Sequence, residues 1–151
     1  MSSPRIVRSA SRERAIDAVL WSLTAIAASL TLWLSLGPVP PGANAFPNAD
    51  KLFHGSAYFV TTLLFLFSAV WRPGRGPGPL ARYAPFLVVA ILMAGLVVEA
   101  LQGLLTASRD PEIGDWLGDA VGGMLALAVH EGVRRAVGVR SSASVVTEDR
   151  S

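Results

Sequence analysis

The chain contains no cysteine, a single lysine and few charged residues. The missing cysteine excludes disulfides, zinc–thiolate sites and cysteine nucleophiles. Charged residues make up 16% and hydrophobic residues 52% of the 151 residues, whereas soluble domains carry about 25% charged residues. This deficit predicts a protein whose solvent is a lipid bilayer. The arginines flank apolar segments and form no stripe with aromatic residues, so no nucleic-acid partner is predicted.

Four apolar segments are each long enough to cross the hydrocarbon core as a helix, which takes about 20 residues. We therefore predict an all-α, integral membrane four-helix bundle over residues 15–137. Residues 1–14 precede it as a cytoplasmic segment, and the serine-rich and charged residues 138–151 are predicted to be a disordered cytoplasmic tail. The first segment is too long for a cleaved signal peptide and is interpreted as a retained helix. The predicted spans are Ala15–Leu36, Lys51–Trp71, Arg82–Leu105 and Asp115–Val137.

Arginine placement predicts the orientation of these spans. Arginines precede the first span, separate the second from the third and follow the fourth. The other two loops and the span ends beside them contain only Lys51 and Arg109. Because positive charge stays on the cytoplasmic side, both termini are expected to lie in the cytoplasm. The loops 37–50 and 106–114 are then expected outside.

Polar residues collect at the outer ends of three of these spans. They are spaced i, i+3 or i, i+4, so that each helix presents its polar residues on one face. Ionisable groups inside apolar spans are costly and are functional candidates by default. The sequence thus predicts a polar cavity open to the outer leaflet, formed by Asp50, Lys51, His54, Tyr58, Glu99, Gln102, Asp115 and Asp119, with Arg109 in the adjoining loop.

Several chemical roles fit this set. His54 and Glu99 could act as acid and base, or His54 and the carboxylates of Glu99, Asp115 and Asp119 could bind a divalent cation. Lys51 and Arg109 could hold a phosphate or carboxylate group, helped by two helix N-termini.

Structural roles compete with these functional ones. Asp50 and Asp115 could stabilise the first turns of their helices, and Arg109 with Asp110 and Glu112 could form a solvated loop. A Lys51–Glu99 ion pair could simply hold helices together. The small residues Gly118, Gly122 and Ala126 form a stripe that suits helix–helix packing. Three of the four tryptophans, Trp116 among them, are interpreted as an interfacial aromatic belt.

Three motifs in this set resemble the VanZ-like family of bacterial membrane proteins. The segment Asp50–Tyr58 resembles the family pattern Asp-Lys-x-x-His-x-x-x-aromatic, and Glu99 with Gln102 resembles Glu-x-x-Gln. The third motif is similar to Arg…Asp-x-x-x-Asn-x-x-Gly, with Asp119 where the family usually has asparagine and with Ala126 where many members have a glycine. Its residues are Arg109, Asp115, Asp119 and Gly122.

The resemblance covers Leu36 to Arg135 and implies a cell-envelope setting. The family's founding member is associated with lowered sensitivity to the glycopeptide antibiotic teicoplanin. No reaction, cofactor or oligomeric state follows from it, so whether the chain is an enzyme stays open.

Three functional hypotheses are therefore consistent with the sequence. The preferred one is binding, with or without processing, of an anionic envelope component such as a membrane lipid or lipid-linked precursor. A proton- or ion-coupled small transporter is the second. The third is a non-catalytic scaffold or modulator of envelope enzymes, with the stripe from Gly118 to Ala126 as its partner surface.

Overall fold

The computed structural model describes residues 4–37, 46–69, 80–106 and 112–148. These residues form four α-helices, and the predicted all-α fold is confirmed. The helices are α1 (Pro4–Leu36), α2 (Ala49–Ala69), α3 (Leu80–Leu105) and α4 (Ile113–Glu148).

The two terminal helices extend further than the sequence analysis predicts. α1 begins at Pro4, since proline is compatible with the first turn of a helix. α4 continues to Glu148 instead of ending near Val137, so the expected disordered tail is replaced by helix over residues 138–148. The segment contains no proline, and nothing in it therefore removes a backbone donor from the helical hydrogen-bond ladder. Residues 149–151 lie outside the described part of the chain.

The helices pack in a ring whose order differs from their order in the chain. Among the described residues, α1 contacts α2, α2 contacts α4, α4 contacts α3, and α3 contacts α1. The interface between α2 and α4 is the largest of these. Because α2 and α3 are diagonal neighbours, side chains from both point into the centre of the bundle.

Glycine explains the closeness of α2 and α4. A Cβ atom on Gly118 would lie 2.9 Å from the carbonyl oxygen of Lys51, and one on Gly122 would collide with the carbonyl oxygen of Gly55. Gly55 in turn would place a Cβ atom 3.1 Å from the Gly118 carbonyl oxygen. Ala126 is fully buried. The interpretation of this stripe as a packing surface is confirmed, and α2 is the helix that covers it.

Hydroxyl pairs join α1 to α2. Thr24 Oγ1 lies 2.8 Å from Ser68 Oγ, and Thr31 Oγ1 lies 2.8 Å from Thr61 Oγ1. In a bilayer the lipid is as apolar as the helix surfaces, so the hydrophobic effect does not drive the helices together. Interhelical hydrogen bonds of this kind then contribute to their association.

The outer surface of the bundle is strongly apolar. Trp33, Phe86, Leu104 and Val121 are each more than 60% exposed, whereas His54, Glu99 and Asp119 are buried. This reversal of the soluble pattern fits a lipid solvent. The segments Ser11–Leu36, Ala49–Ala69 and Pro85–Leu105 are long and apolar enough to cross a membrane. The chain thus has the character of a membrane protein.

Candidate functional site

One end of the bundle gathers the predicted polar residues. It is formed by the first turns of α2 and α4 and the last turns of α3 and α1, because consecutive helices run in opposite directions. The helical spacing of each polar set turns it inward, so residues far apart in the chain meet in one place. The structure brings together Asp50, Lys51, His54, Tyr58, Glu99, Gln102, Asp115 and Asp119.

The centre of this end is a group of three buried side chains from three helices, His54, Glu99 and Asp119, here called the buried trio. Their exposed fractions are 7%, 5% and 0%. His54 Nδ1 lies 3.2 Å from Asp119 Oδ1. One ligand atom from each of the three lies within 4.8 Å of the other two. The trio therefore has the composition and spacing to bind a proton or a metal ion between its members.

Each carboxylate of the trio has one engaged and one unengaged oxygen. Glu99 Oε2 accepts a hydrogen bond from the backbone N–H of Glu112 at 3.0 Å. Glu99 Oε1 and Asp119 Oδ2 are buried, and neither accepts a hydrogen bond of good geometry from the described residues, although the Tyr58 hydroxyl lies close to Asp119. Buried polar atoms are rarely left without a partner, so these two oxygens mark a place for a further group.

A second group lies nearer the solvent and is organised around one ammonium. Lys51 Nζ donates to Glu112 Oε2 at 2.9 Å, to Asp50 Oδ2 at 3.1 Å and to Asp115 Oδ1 at 3.3 Å. We call these four residues the lysine cluster. The alternative role for Lys51, an ion pair with Glu99, is not seen among the described residues, because the ammonium contacts these three other carboxylates.

Two contacts connect the lysine cluster with the buried trio. Asp115 Oδ2 lies 3.8 Å from His54 Nε2, so this aspartate contacts the lysine with one oxygen and faces the histidine with the other. Glu112 contributes its side chain to the lysine cluster and its backbone N–H to Glu99. Asp115 and Glu112 therefore lie between the two groups.

Gln102 and Tyr58 border the trio. Gln102 is buried and donates from Nε2 to the backbone carbonyl of Ser35 at 2.9 Å, which ties α3 to the end of α1. Tyr58 is buried one turn below His54, beside Asp119. Arg109, the remaining predicted site residue, lies outside the described part of the chain.

Two residues have roles that the sequence analysis missed. Glu112, interpreted as part of a solvated loop, binds Lys51; its position three residues before Asp115 was the available signal, since the two then share a helix face. Trp116, interpreted as interfacial, donates from Nε1 to the carbonyl of Leu92 at 2.9 Å. Gly95 makes room for this contact, because a Cβ atom there would lie 3.0 Å from the indole.

The charges of this end are unequal. The described residues contribute one lysine and one histidine against five carboxylates, those of Asp50, Glu99, Glu112, Asp115 and Asp119. The lysine ammonium contacts only the outer three of them. Electrostatics at the trio therefore favours a cation over a bare anion.

An apolar cavity of about 320 Å³ adjoins this site. α1, α2 and α3 form most of its wall, and Tyr58 belongs both to the wall and to the surroundings of Asp119. Ala90 and Ala94 line it and are nevertheless exposed. The cavity therefore opens towards the outside of the bundle at α3.

Comparison of the chain with protein-family models, with curated proteins and with solved structures gives no match.

Proposed function

We propose that the chain is a VanZ-like protein of the bacterial cytoplasmic membrane that binds an anionic envelope lipid or lipid-linked precursor. Its four helices cross the membrane with both termini inside, so that the trio lies at the outer leaflet. The observation that carries this proposal is the continuity of a buried polar site with an apolar cavity through one shared residue, Tyr58.

A ligand with a polar head and a hydrocarbon chain matches this pair of surfaces. The cavity volume of about 320 Å³ falls at the lower end of the range of small-molecule pockets, about 300–1,000 Å³. Leu66, Ile91 and Leu127 supply apolar walls for a chain. The trio and the lysine cluster lie where the head would be, and the opening at α3 gives a chain access from the lipid.

The polar residues of α4 are compatible with its role as the fourth span. Asp115 and Asp119 are buried against α2 and α3, whereas Leu117, Val121 and Leu125 are more than half exposed. A helix that turns its carboxylates inward presents an apolar face to lipid, and such inward polar residues are the rule within membranes.

The positions of the polar side chains indicate which of them would contact the polar head of the lipid. Lys51 is the cation nearest the bulk solvent, and Arg109 is assigned to the same role from the sequence. His54 and Glu99 are the groups that could exchange a proton with the head, and Gln102, Asp115 and Asp119 would orient it. The arrangement is suited to binding the head, and processing would require in addition that His54 or Glu99 reach a reacting atom in the protonation state that the reaction needs.

The cavity also favours this function over transport. Beyond Tyr58 the described cavity wall contains aliphatic and aromatic side chains and four threonines but no ionisable group. It therefore offers no chain of carboxylates or histidines to relay a proton or an ion. The scaffold alternative loses its proposed partner surface, because α2 covers the stripe from Gly118 to Ala126.

Two matched substitutions on α1 test the lipid proposal. Ala28 lines the cavity, whereas Ala25 is exposed on the outer face of the same helix. Full-length protein is purified in mild detergent, and the co-purifying lipids are identified and quantified by mass spectrometry. We expect Ala28→Phe to lower the bound lipid several-fold and Ala25→Phe to leave it unchanged. Equal lipid content in both variants and in the parent protein would refute binding in the cavity.

A cellular measurement tests the envelope setting. We expect expression of the chain to lower teicoplanin sensitivity, and His54→Ala and Glu99→Gln to abolish this effect at equal protein level. If both variants remain folded and retain the full phenotype, the trio has no part in the function.

A further inference from the structure

The two carboxylate groups at this end of the bundle differ in one respect that indicates a ligand. Asp50, Glu112 and Asp115 can approach one ion-sized point, but the ammonium of Lys51 already contacts all three. The buried trio can do the same, and no lysine or arginine among the described residues contacts it. The lysine cluster thus contains its own cation, whereas the buried trio has the geometry of a cation site without a cationic side chain.

We propose that His54, Glu99 and Asp119 bind a single divalent metal ion of the Zn²⁺ or Mn²⁺ type. The evidence for this metal site is the structure of the trio and does not depend on the proposed function. Its role, to bridge the protein to the phosphate of an envelope lipid, rests on the proposed function.

The geometry needs little adjustment to hold an ion. Ligand atoms around a metal with bonds of about 2.1 Å lie at most about 4 Å from one another. The trio's atoms already lie within 4.8 Å of one another, so side-chain movements of less than about 1 Å would complete the site. The three residues come from three helices, and a metal ion there would fasten α2, α3 and α4 together.

Burial and charge point to an ion with two positive charges. Glu99 Oε1 and Asp119 Oδ2 are buried and accept no hydrogen bond of good geometry from the described residues. Two ionised carboxylates in such a place are expensive unless a cation compensates them, and a divalent cation balances them in full.

The donor types narrow the choice of metal. Imidazole nitrogen suits Zn²⁺, and carboxylate oxygen suits Mn²⁺ and Zn²⁺, whereas Ca²⁺ and Mg²⁺ prefer oxygen alone. His54 can use one nitrogen as ligand while the other faces Asp115 or Asp119, the arrangement that fixes many metal-bound histidines. Three protein ligands leave at least one position open, and a phosphate oxygen could occupy it.

Such an ion would also remove an obstacle to the proposed function. Without it, the carboxylates of this end would repel an anionic head. With it, the charge of the two carboxylates is neutralised, and the open coordination position of the ion can accept a phosphate oxygen.

The test uses the full chain in detergent, stripped of metal with EDTA and carrying a purification tag without histidine. Binding of Zn²⁺ alone and of Mn²⁺ alone is measured by isothermal titration calorimetry, with Ca²⁺ as the reference ion. We expect one ion per chain and at least about 10-fold weaker binding of Ca²⁺, because the site includes an imidazole.

Glu99→Gln and Glu112→Gln form a matched pair for this test. Both remove one carboxylate charge, but only Glu99 belongs to the trio. Loss of a direct ligand should cost at least the 10–100-fold typical of groups that merely support a ligand, so Glu99→Gln should weaken Zn²⁺ binding by about 10-fold or more. Glu112→Gln should change it by less than about 2-fold, because the Glu112 side chain is more than half exposed and its charge is screened by solvent and salt. The substitution also keeps the backbone N–H that donates to Glu99.

A spectroscopic measurement on the parent protein covers the case in which a variant does not fold. The chain has two histidines, and His130 packs edge-on against Phe67, 13 residues and about 20 Å along α2 from His54. In protein with ¹⁵N-labelled histidine, Zn²⁺ should shift the ring signals of one imidazole and leave those of the other unchanged. His130→Gln then identifies the shifted signal as that of His54.

The outcomes separate this inference from the proposed function. Absence of Zn²⁺ and Mn²⁺ binding, or equal weakening by Glu99→Gln and Glu112→Gln, would overturn the metal site. Lipid co-purification that survives both EDTA and Glu99→Gln would leave lipid binding intact and overturn the bridging role. Metal binding without any co-purifying lipid would support the site and refute the proposed function.

Discussion

His54 on α2 and Asp119 on α4 meet through a 3.2 Å contact between Nδ1 and Oδ1, and both side chains are buried. The contact joins the two helices that pack most closely, at the level where glycines let their backbones approach. Position 119 is also where the sequence departs from the VanZ-like pattern. Asp119 therefore links α4 to α2 and adds a carboxylate to the buried trio.

Substitutions of Asp119 should distinguish its hydrogen bond from its charge. Asp119→Ala leaves His54 without this partner, and an unsatisfied buried polar group costs about 1–3 kcal/mol. Asp119→Asn keeps an oxygen that can accept from His54, so its unfolding free energy should be close to that of the parent. Thermal unfolding in detergent measures both. Equal destabilisation by the two variants would show that the charge, and not the hydrogen bond, holds the helices.

Gly122 should be intolerant of any side chain. A methyl group there would collide with the carbonyl oxygen of Gly55, and such overpacking costs about 1–3 kcal/mol. Gly132 lies on the same helix, and a Cβ atom there meets no atom within 4 Å. We expect Gly122→Ala to lower the unfolding temperature in detergent, and Gly132→Ala to leave it unchanged or raise it slightly. A lower unfolding temperature for Gly132→Ala than for Gly122→Ala would contradict the close α2–α4 contact.

Removal of the lysine ammonium should expose repulsion among the outer carboxylates. Lys51→Gln leaves Asp50, Glu112 and Asp115 without the cation that contacts all three. We expect a loss of about 1 kcal/mol, because the pairs are partly exposed. Adding Glu112→Gln to this variant should recover part of the loss, and a double-mutant cycle in urea or detergent measures it. Additive effects would show that Lys51 and Glu112 do not interact.

Cysteine labelling should reveal the membrane orientation, since the natural chain has no cysteine. Ile113 and Ala136 are both exposed on α4 and lie about 35 Å apart along the helix, more than the thickness of a hydrocarbon core of about 30 Å. In intact cells, an impermeant maleimide should label Ile113→Cys and not Ala136→Cys; permeabilised cells should label both. Equal labelling of the two in intact cells would contradict α4 as a span.

Metal binding should weaken as the pH falls. Imidazole and carboxylate ligands bind a metal only when they are deprotonated, so protons compete with Zn²⁺ for His54, Glu99 and Asp119. Zn²⁺ titrations at about pH 8, 7 and 6 cover the range in which histidine titrates. The affinity for Zn²⁺ should decrease at each step. Affinity that does not change over this range would exclude a histidine ligand.

Much of the helical architecture follows from local properties of the chain. Apolar segments of sufficient length predict the helices, and the glycine stripe on α4 predicts a close helix contact. The C-terminal boundary was wrong because serine and charge content are weak signals. Helix formation beyond Val137 needs only that nothing in the segment breaks the backbone hydrogen bonds, and the absence of proline satisfies that requirement.

The sequence predicts which residues lie at the candidate site, but not which of them contact one another. The spacing of His54, Glu99 and Asp119 turns each of them towards the bundle interior, because helical periodicity fixes the face of a residue. That Lys51 binds Glu112 and not Glu99 depends on the ring order of the helices, which no local pattern contains.

The sequence by itself determined that four helices form, which of their faces are polar, and at which end those faces lie, because length, hydropathy and helical periodicity are properties of each segment alone. The tertiary structure decided which carboxylates share the lysine, which remain buried with His54, and that Tyr58 joins the polar site to an apolar cavity. These relationships depend on distances between helices. Such distances are set by packing, above all by Gly55, Gly118 and Gly122, where backbones from different parts of the chain meet.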